Sequence, residues 1–205
     1  YKPELFEIIL LNDFSDDETV AVASKFKEVK VLQLKDFLDG SFVNKANKKR
    51  AISLGVEQAK FDIIITTDGD CVYGENWLKA KTQFYNKTQA KMITSPVLFF
   101  SGKSIWSKFL ALDLISLMGI TAAGIKDKLP SMVNGANLLF EKAVFQEVKG
   151  FEGNENIASG DDVFLMQKIE KIYPNGIYFL KNFDAIAQTN APSDFKEFAQ
   201  QRILL

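Results

Sequence analysis

Short apolar runs alternate with amphipathic stretches along the whole chain. Residues 5–13 (LFEIILLND) are one such run, and residues 15–28 follow with acids first and apolar positions at helical spacing. This predicts a buried strand, then a helix with Ser15 as its N-cap. Further strands are predicted at 29–34, 61–67, 91–100, 132–140, 176–181 and 184–189, and further helices at 44–60, 75–87, 141–151, 159–173 and 193–202. Gly150 is placed to close one helix and Ser159 to cap the next. Strand–helix alternation with near-continuous apolar strands predicts an α/β fold, a parallel or mixed sheet covered by helices on both faces. No repeat, low-complexity run or long linker interrupts it, so residues 1–205 read as a single domain.

Composition narrows the function. Apolar residues make up 47% and charged residues 25%, and Lys+Arg at 25 balances Asp+Glu at 26 for a net charge of -1. There is no basic field for a dedicated nucleic-acid binder. Eighteen phenylalanines point to a well-filled core or an apolar surface meant for a partner. Cys71 is the one cysteine, which permits no internal disulfide and fits a reducing compartment. With no histidine, His-based triads and His metal ligands are excluded. Any metal must sit on oxygen, with at most one thiolate. The most apolar tract, 104–125, contains Lys108 and Asp113 and is a poor membrane span. It is expected as a helix against the core, with an interface as the alternative. Tyr1 is not a natural start and no signal peptide is visible, so the chain is expected to be a piece of a longer protein.

In sheets of this kind a ligand lies beyond the carboxyl ends of the strands. Asn12 and Asp13 end the first strand, Asp68 and Asp70 end the strand at 61–67, Asn134 and Gly135 interrupt the run at 132–140, and Asp161 and Asp162 open a helix. Each has a plain structural alternative. Asp13 suits a turn, Asp68-Gly69-Asp70 a solvated turn, and Asp161-Asp162 complements a helix dipole. Together, in this order, they point to one acidic cleft.

Four segments resemble family 2 glycosyltransferases, inverting enzymes of the GT-A fold: residues 7–19, 48–71 (KKRAISLGVEQAKFDIIITTDGDC), 133–151 (VNGANLLFEKAVFQEVKGF) and 159–169 (SGDDVFLMQKI). The resemblance implies a Rossmann-like sandwich with a mostly parallel central sheet. It implies a nucleotide-binding half at about 1–96 and an acceptor-binding half at about 97–205. It implies that Asp68 and Asp70 hold a divalent cation (Mg²⁺ or Mn²⁺) and a nucleotide-diphosphate sugar, with Asp70 the direct ligand. Asp13 would meet the nucleobase, uracil for a UDP-sugar, and Lys49 or Arg50 the donor phosphates. A solvated helix face is the alternative for those two cations. Asp162, beside Asp161, would be the general base toward a saccharide or lipid-linked acceptor. Asn134, Gly135 and Gln201 would lie on the acceptor side.

The chain departs from the family pattern at both ends. The family begins with a strand and helix ahead of the 5–13 strand, where only YKPELF stands, so the usual first strand is expected to be lacking and its gap to be filled by rearrangement or self-association. A Gln-x-x-Arg-Trp motif would start at Gln201, but Leu204 and Leu205 occupy its last two places. A soluble piece of a membrane-anchored parent, in the cytoplasm at the inner face of the membrane, is the corresponding expectation. The alternatives are a non-catalytic nucleotide- or sugar-binding module and a sugar-phosphate nucleotidyltransferase. The latter would normally carry a glycine-rich basic loop near its start.

Overall fold

The computed structural model describes residues 1–37, 47–100, 102–154 and 160–203, with side chains through Ala199. Nine strands form three sheets among the described residues. The central one has four strands in the order β3 (Ile63–Thr66), β7 (Leu138–Glu141), β5 (Met92–Thr94), β8 (Ile177–Phe179). Alternation along these strands sends successive side chains to opposite faces. Met92, Leu138, Phe140 and Ile177 pack on one face with Leu165, Met166 and Ile169 of α6 (Asp161–Ile172) and with Val144 and Phe145 of α5 (Lys142–Glu147). Ile93 and Leu139 pack on the other with Ala80 of α3 (Trp77–Thr88), Leu180 and Ala185. Truncating a wholly buried residue such as Leu139 to alanine removes about 2–5 kcal/mol.

The sheet is mixed rather than mostly parallel. β7 is antiparallel to both β3 and β5, while β5 is parallel to β8. The cause is α4 (Ile105–Lys126), a helix of about 33 Å. It returns the chain to the end that β5 has just left, so that Leu138 starts β7 opposite Thr94. A second sheet pairs β1 (Ile8–Asn12) in parallel with β2 (Val29–Gln33), and Leu32 packs with Ala51 and Leu54 of α2 (Asn47–Gln58). The third has the order β4 (Val72–Tyr73), β9 (Ala187–Thr189), β6 (Val97–Phe99). Its short strand β4 carries no sequence pattern of its own. The predicted strand at 91–100 is split because Ser95-Pro96 separates β5 from β6, and a proline cannot donate to a ladder.

Other local expectations change. The segment at 15–28 yields only the short α1 (Thr19–Ala23). Ser15 does not cap it: the Ser15 N–H donates to Asn12 Oδ1, and Asp17 Oδ1 accepts from the Thr19 N–H at 2.9 Å. β1 is only partly covered, with Asn12 its one buried residue. Gly150 does close α5, donating its N–H to the Phe145 carbonyl at 2.8 Å with φ of 43°. A side chain there would meet the Phe145 ring at 2.6 Å. Ser159 and residues 44–46 lie outside the described residues. Gly160 is the N-cap of α6, at a φ of 70° that a left-handed turn requires. The tract at 104–125 forms α4 as expected, but only Leu110, Leu114, Met118 and Thr121 are buried, so most of it faces outward. The final helix, α7 (Phe195–Ile203), lies against its start.

Candidate active site

β3 ends at Thr66, and its hydroxyl donates to the Gly135 carbonyl at 2.8 Å. The chain then turns tightly, with the Cys71 N–H on the Asp68 carbonyl. The turn leaves Asp68 half-buried and Asp70 exposed. Asp70 Oδ2 accepts from the Thr189 hydroxyl at 2.6 Å, so the end of β9 orients the outer carboxylate. Burial, then Asp70 and Asp68, push the Cys71 thiol up, so it stays protonated and is a poor metal ligand at neutral pH.

Asp161 and Asp162 form the first turn of α6, where the helix dipole favours carboxylates. Asp161 is buried. Asp162 Oδ2 accepts from the Gly135 N–H at 2.9 Å, and Oδ1 from the Val163 N–H at 2.8 Å. Burial raises the Asp162 pKa above the ordinary aspartate range. The two backbone N–H groups and Lys48 act against that rise, and Asp161 adds to it. Gly135 therefore bridges the two acidic segments, through its N–H to Asp162 and its carbonyl to Thr66, two residues before Asp68.

The cation that faces these acids is Lys48. Its Nζ lies 3.1 Å from Asp68 Oδ1. Partial burial acts against its charge, but Asp68, Asp161 and Asp162 outweigh that and hold its pKa above the usual lysine value. Lys49 and Arg50 are turned elsewhere. Lys49 is 3% exposed and donates to the Asn154 carbonyl at 2.9 Å. Both line the groove between α2 and α5, with Leu34 and Phe145. Consecutive helical residues diverge by about 100°, so only one of the three faces these acids. The KKR run marked the right turn of helix, and nothing in the sequence singled out its first lysine.

Asp13 is exposed, and its Oδ1 accepts from Asn47 Nδ2 at 2.9 Å, at the start of the helix that carries Lys48. Asn12 is buried and holds that corner through Gln33 and Ser15. Asn134 Oδ1 accepts from the Ala136 N–H, capping a 3-10 turn over Gly135–Asn137. Asn137, wholly buried, ties this turn down. Its amide donates to the Pro96 and Ala185 carbonyls, and its Oδ1 accepts from the Trp77 indole. Beneath it Lys81, also 0% exposed, donates to Ser95 Oγ and the Asn137 carbonyl. Burial lowers the Lys81 pKa to about 7. Neither Asn137 nor Lys81 carries a sequence signal that separates it from an ordinary surface residue. The side chain of Gln201 lies outside the described residues.

The family model described as Glycosyltransferase like family 2 matches residues 1–203. The chain belongs to glycosyltransferase family 2. Among solved structures, the chain resembles Staphylococcus aureus TarS 1-349 with a TM-score of 0.67 at 17% identity, over 100% of this chain and 56% of that one. The same protein in complex with UDP-GlcNAc matches with a TM-score of 0.66 at 16% identity, over 97% of this chain and 53% of that one. A mycobacterial protein matches at 0.57 and 15% identity, over 93% and 59%. The chain thus spans about half to three fifths of these three structures. No curated protein matches it at a significant level. These likenesses establish the GT-A type of fold, an α/β sandwich with mixed sheets.

In this family 2 domain no group of three or more His, Cys, Asp or Glu side chains converges to hold a metal among the described residues. Asp68 and Asp70 nonetheless offer an oxygen-only donor pair in the turn after β3. Mg²⁺ commonly binds through one or two carboxylates and completes its shell with water and substrate phosphates, and the pair fits that pattern. Asp68, Asp161 and Asp162 acting on Lys48 leave a local excess of negative charge that a cation would balance.

Proposed function

We propose that this domain moves a sugar from a nucleotide-diphosphate donor, a UDP-sugar, to an acceptor hydroxyl, with inversion at the anomeric carbon. The observation that carries the reading is the Gly135 bridge, which ties Thr66, at the end of β3 just ahead of Asp68 and Asp70, to the helix-opening acid Asp162. A held donor diphosphate and a base on the neighbouring segment are the two parts that a direct displacement needs.

In this reading Asp70 and Asp68 would hold Mg²⁺ or Mn²⁺, which supplies neutralisation of the charge on the diphosphate. Lys48, rather than Lys49, adds a positive charge beside the phosphates. Asp13 lies toward the nucleobase. Asp162 takes the proton from the acceptor hydroxyl as that oxygen bonds to the anomeric carbon and the bond to the diphosphate oxygen breaks. One displacement from the opposite face inverts the centre. Each carboxylate oxygen has a further lone-pair direction beyond its backbone hydrogen bond, and the raised pKa makes Asp162 a stronger base than a solvated aspartate. Asp161 supports that rise. Asn134, Gly135 and Gln201 would serve a saccharide or lipid-linked acceptor, with donor binding in about 1–96 and acceptor binding in about 97–205.

The same reading places the domain in the cytoplasm, at the inner face of the cell membrane. It also includes self-association: β1 pairs only with β2, and β3 only with β7, among the described residues, so each presents an edge to a further strand. Concentration-dependent dimers in sedimentation would bear this out.

The deciding experiment titrates the chain with UDP, with and without Mn²⁺, beside an assay of UDP-sugar turnover. Mn²⁺-dependent binding with transfer is expected. UDP binding without transfer would favour a non-catalytic module, and no UDP binding would sink the reading.

A further inference from the structure

The outward face of α4 is largely apolar: its exposed polar side chains are Lys108, Lys126 and Ser116, whose hydroxyl bonds back to the Leu112 carbonyl. Leu110, Leu114 and Met118 recur at four-residue spacing on its buried face, and α4 packs through that side against β6 and β8. On the opposite side Ile105 is 88% exposed, Leu112 65% and Ile120 56%, with Phe109 and Ile115 half-exposed beside them. A surface helix of a soluble domain ordinarily carries polar residues there. The apolar strip widens at its start, where Trp106 stacks on Phe109 at 5.5 Å and meets the exposed Phe195 of α7 at 6.2 Å. It is extended at the other end by the exposed Leu129.

Lysines stand at both ends of this strip. Lys103 and Lys108 flank its beginning, Lys126 and Lys128 its end, and all four are exposed. The acids nearby are few. Asp113 is half-covered and already has an interaction, and Asp127, between Lys126 and Lys128, is exposed, with its backbone N–H closing the last turn on the Ala123 carbonyl. In the adjoining α7, Asp194 accepts from the Glu197 N–H and Glu197 accepts from Ser193.

We infer that α4 docks this domain on an anionic lipid surface, lying flat with Ile105, Phe109, Leu112, Ile115 and Ile120 among the acyl chains and the four lysines among the headgroups. Apolar residues flanked by lysines, with no exposed carboxylate within the strip, match the chemistry of such a surface. By length and mean hydropathy, 1.6, the helix is apolar enough to cross a membrane. Crossing would pull Leu110, Leu114 and Met118 out of the core, whereas docking leaves them packed. The inference does not depend on the reaction proposed above.

The test is co-sedimentation of the 205-residue chain with vesicles of phosphatidylcholine alone and of phosphatidylcholine with phosphatidylglycerol, at low salt. The chain partitions at least about tenfold better into the anionic vesicles if four lysines face the headgroups. Lys108→Glu with Lys126→Glu loses about tenfold or more of that binding. Phe109→Asp and Leu112→Asp, both at solvent-facing positions, abolish it while circular dichroism and thermal melting stay those of the parent. Absence of binding to anionic vesicles, equal binding to both compositions, or unchanged binding by Leu112→Asp overturns the inference. So does loss of a dimer by Leu112→Asp without any vesicle binding, which would assign the face to a second copy of the chain. Because no donor or turnover enters this assay, its failure leaves the catalytic reading untouched.

Discussion

The Gly135 N–H donates to Asp162 Oδ2 at 2.9 Å, so the carboxylate that opens α6 is aimed by the turn that precedes β7. Nothing steric demands glycine at that position. A Cβ there would stand 3.6 Å from the Asp162 side chain, an ordinary contact. Gly135→Ala should therefore retain most activity. Gly135→Pro removes the N–H, and loss of a hydrogen bond to a charged group of about 1.5–3 kcal/mol corresponds to roughly 10–100-fold in kcat. Asp162→Asn should keep donor binding and lose about 10²–10⁴-fold in transfer. Steady-state kinetics beside UDP titration separates these outcomes. Full transfer activity in Asp162→Asn with loss in Asp161→Asn would give the base role to the neighbour.

If Asp162 is the proposed base, its raised pKa would set a pH limit. A base must be unprotonated, so kcat/KM falls as pH drops through the folded-state pKa. Since burial holds that value up, the acid limb should lie above the roughly 3.9 of an unperturbed aspartate. The linked stability has the opposite sign to the usual aspartate: the fold favours the protonated form, so this residue's contribution weakens as pH rises through the same window. An acid limb at or below about 3.9 would count against Asp162 as the base.

In the proposed reading, metal dependence would rest on the outer carboxylate, Asp70. Asp70→Asn should abolish the Mn²⁺ dependence of UDP binding, and Thr189→Val should weaken it by releasing the 2.6 Å hydrogen bond that orients Asp70. Isothermal titration with and without Mn²⁺ is the measurement, and parent-like metal response in Asp70→Asn would remove Asp70 from the site.

The two neighbouring lysines should separate cleanly. Lys48→Met should raise the KM for the donor with little change in the urea midpoint, because its partner Asp68 is solvent-accessible and exposed ion pairs contribute only about 0–1 kcal/mol. Lys49→Met should lower stability by about 1–3 kcal/mol, since the buried Asn154 carbonyl contact is lost. A donor KM unaffected by Lys48→Met would rule out its phosphate role.

Lys81 makes stability depend on pH in the alkaline direction. Burial lowers its pKa to about 7, against roughly 10.4 in an unfolded chain. Between those values the unfolded state binds the extra proton, so stability should rise with pH, by at most about 1.4 kcal/mol per unit. Below about 7 this dependence vanishes. Urea unfolding at pH 7 and pH 9 should show the rise in the parent and its absence in Lys81→Met. Parallel slopes for the two proteins would mean that Lys81 stays charged in the fold.

Much of this was written locally. The strand ending in Asp68-Gly69-Asp70, the acids opening α6 and the helix closed by Gly150 follow from periodicity and turn chemistry that span only a few neighbouring residues. Strand–helix alternation was enough to announce an α/β domain, and the ordered motifs its family. What the sequence left open were choices of direction. The sense of β7 depends on where α4 delivers the chain, which no local run records. Which lysine of α2 meets Asp68 depends on how that helix is rotated against β1 and β2, as does the burial of Lys49. Thr189 reaches Asp70 across 119 positions, a separation that only strand pairing can close. The apolar tract at 104–125 read as a core helix because composition cannot tell which side a neighbour will cover. Packing on β6 and β8 took one face, and the tertiary structure alone decided that the other would stay open.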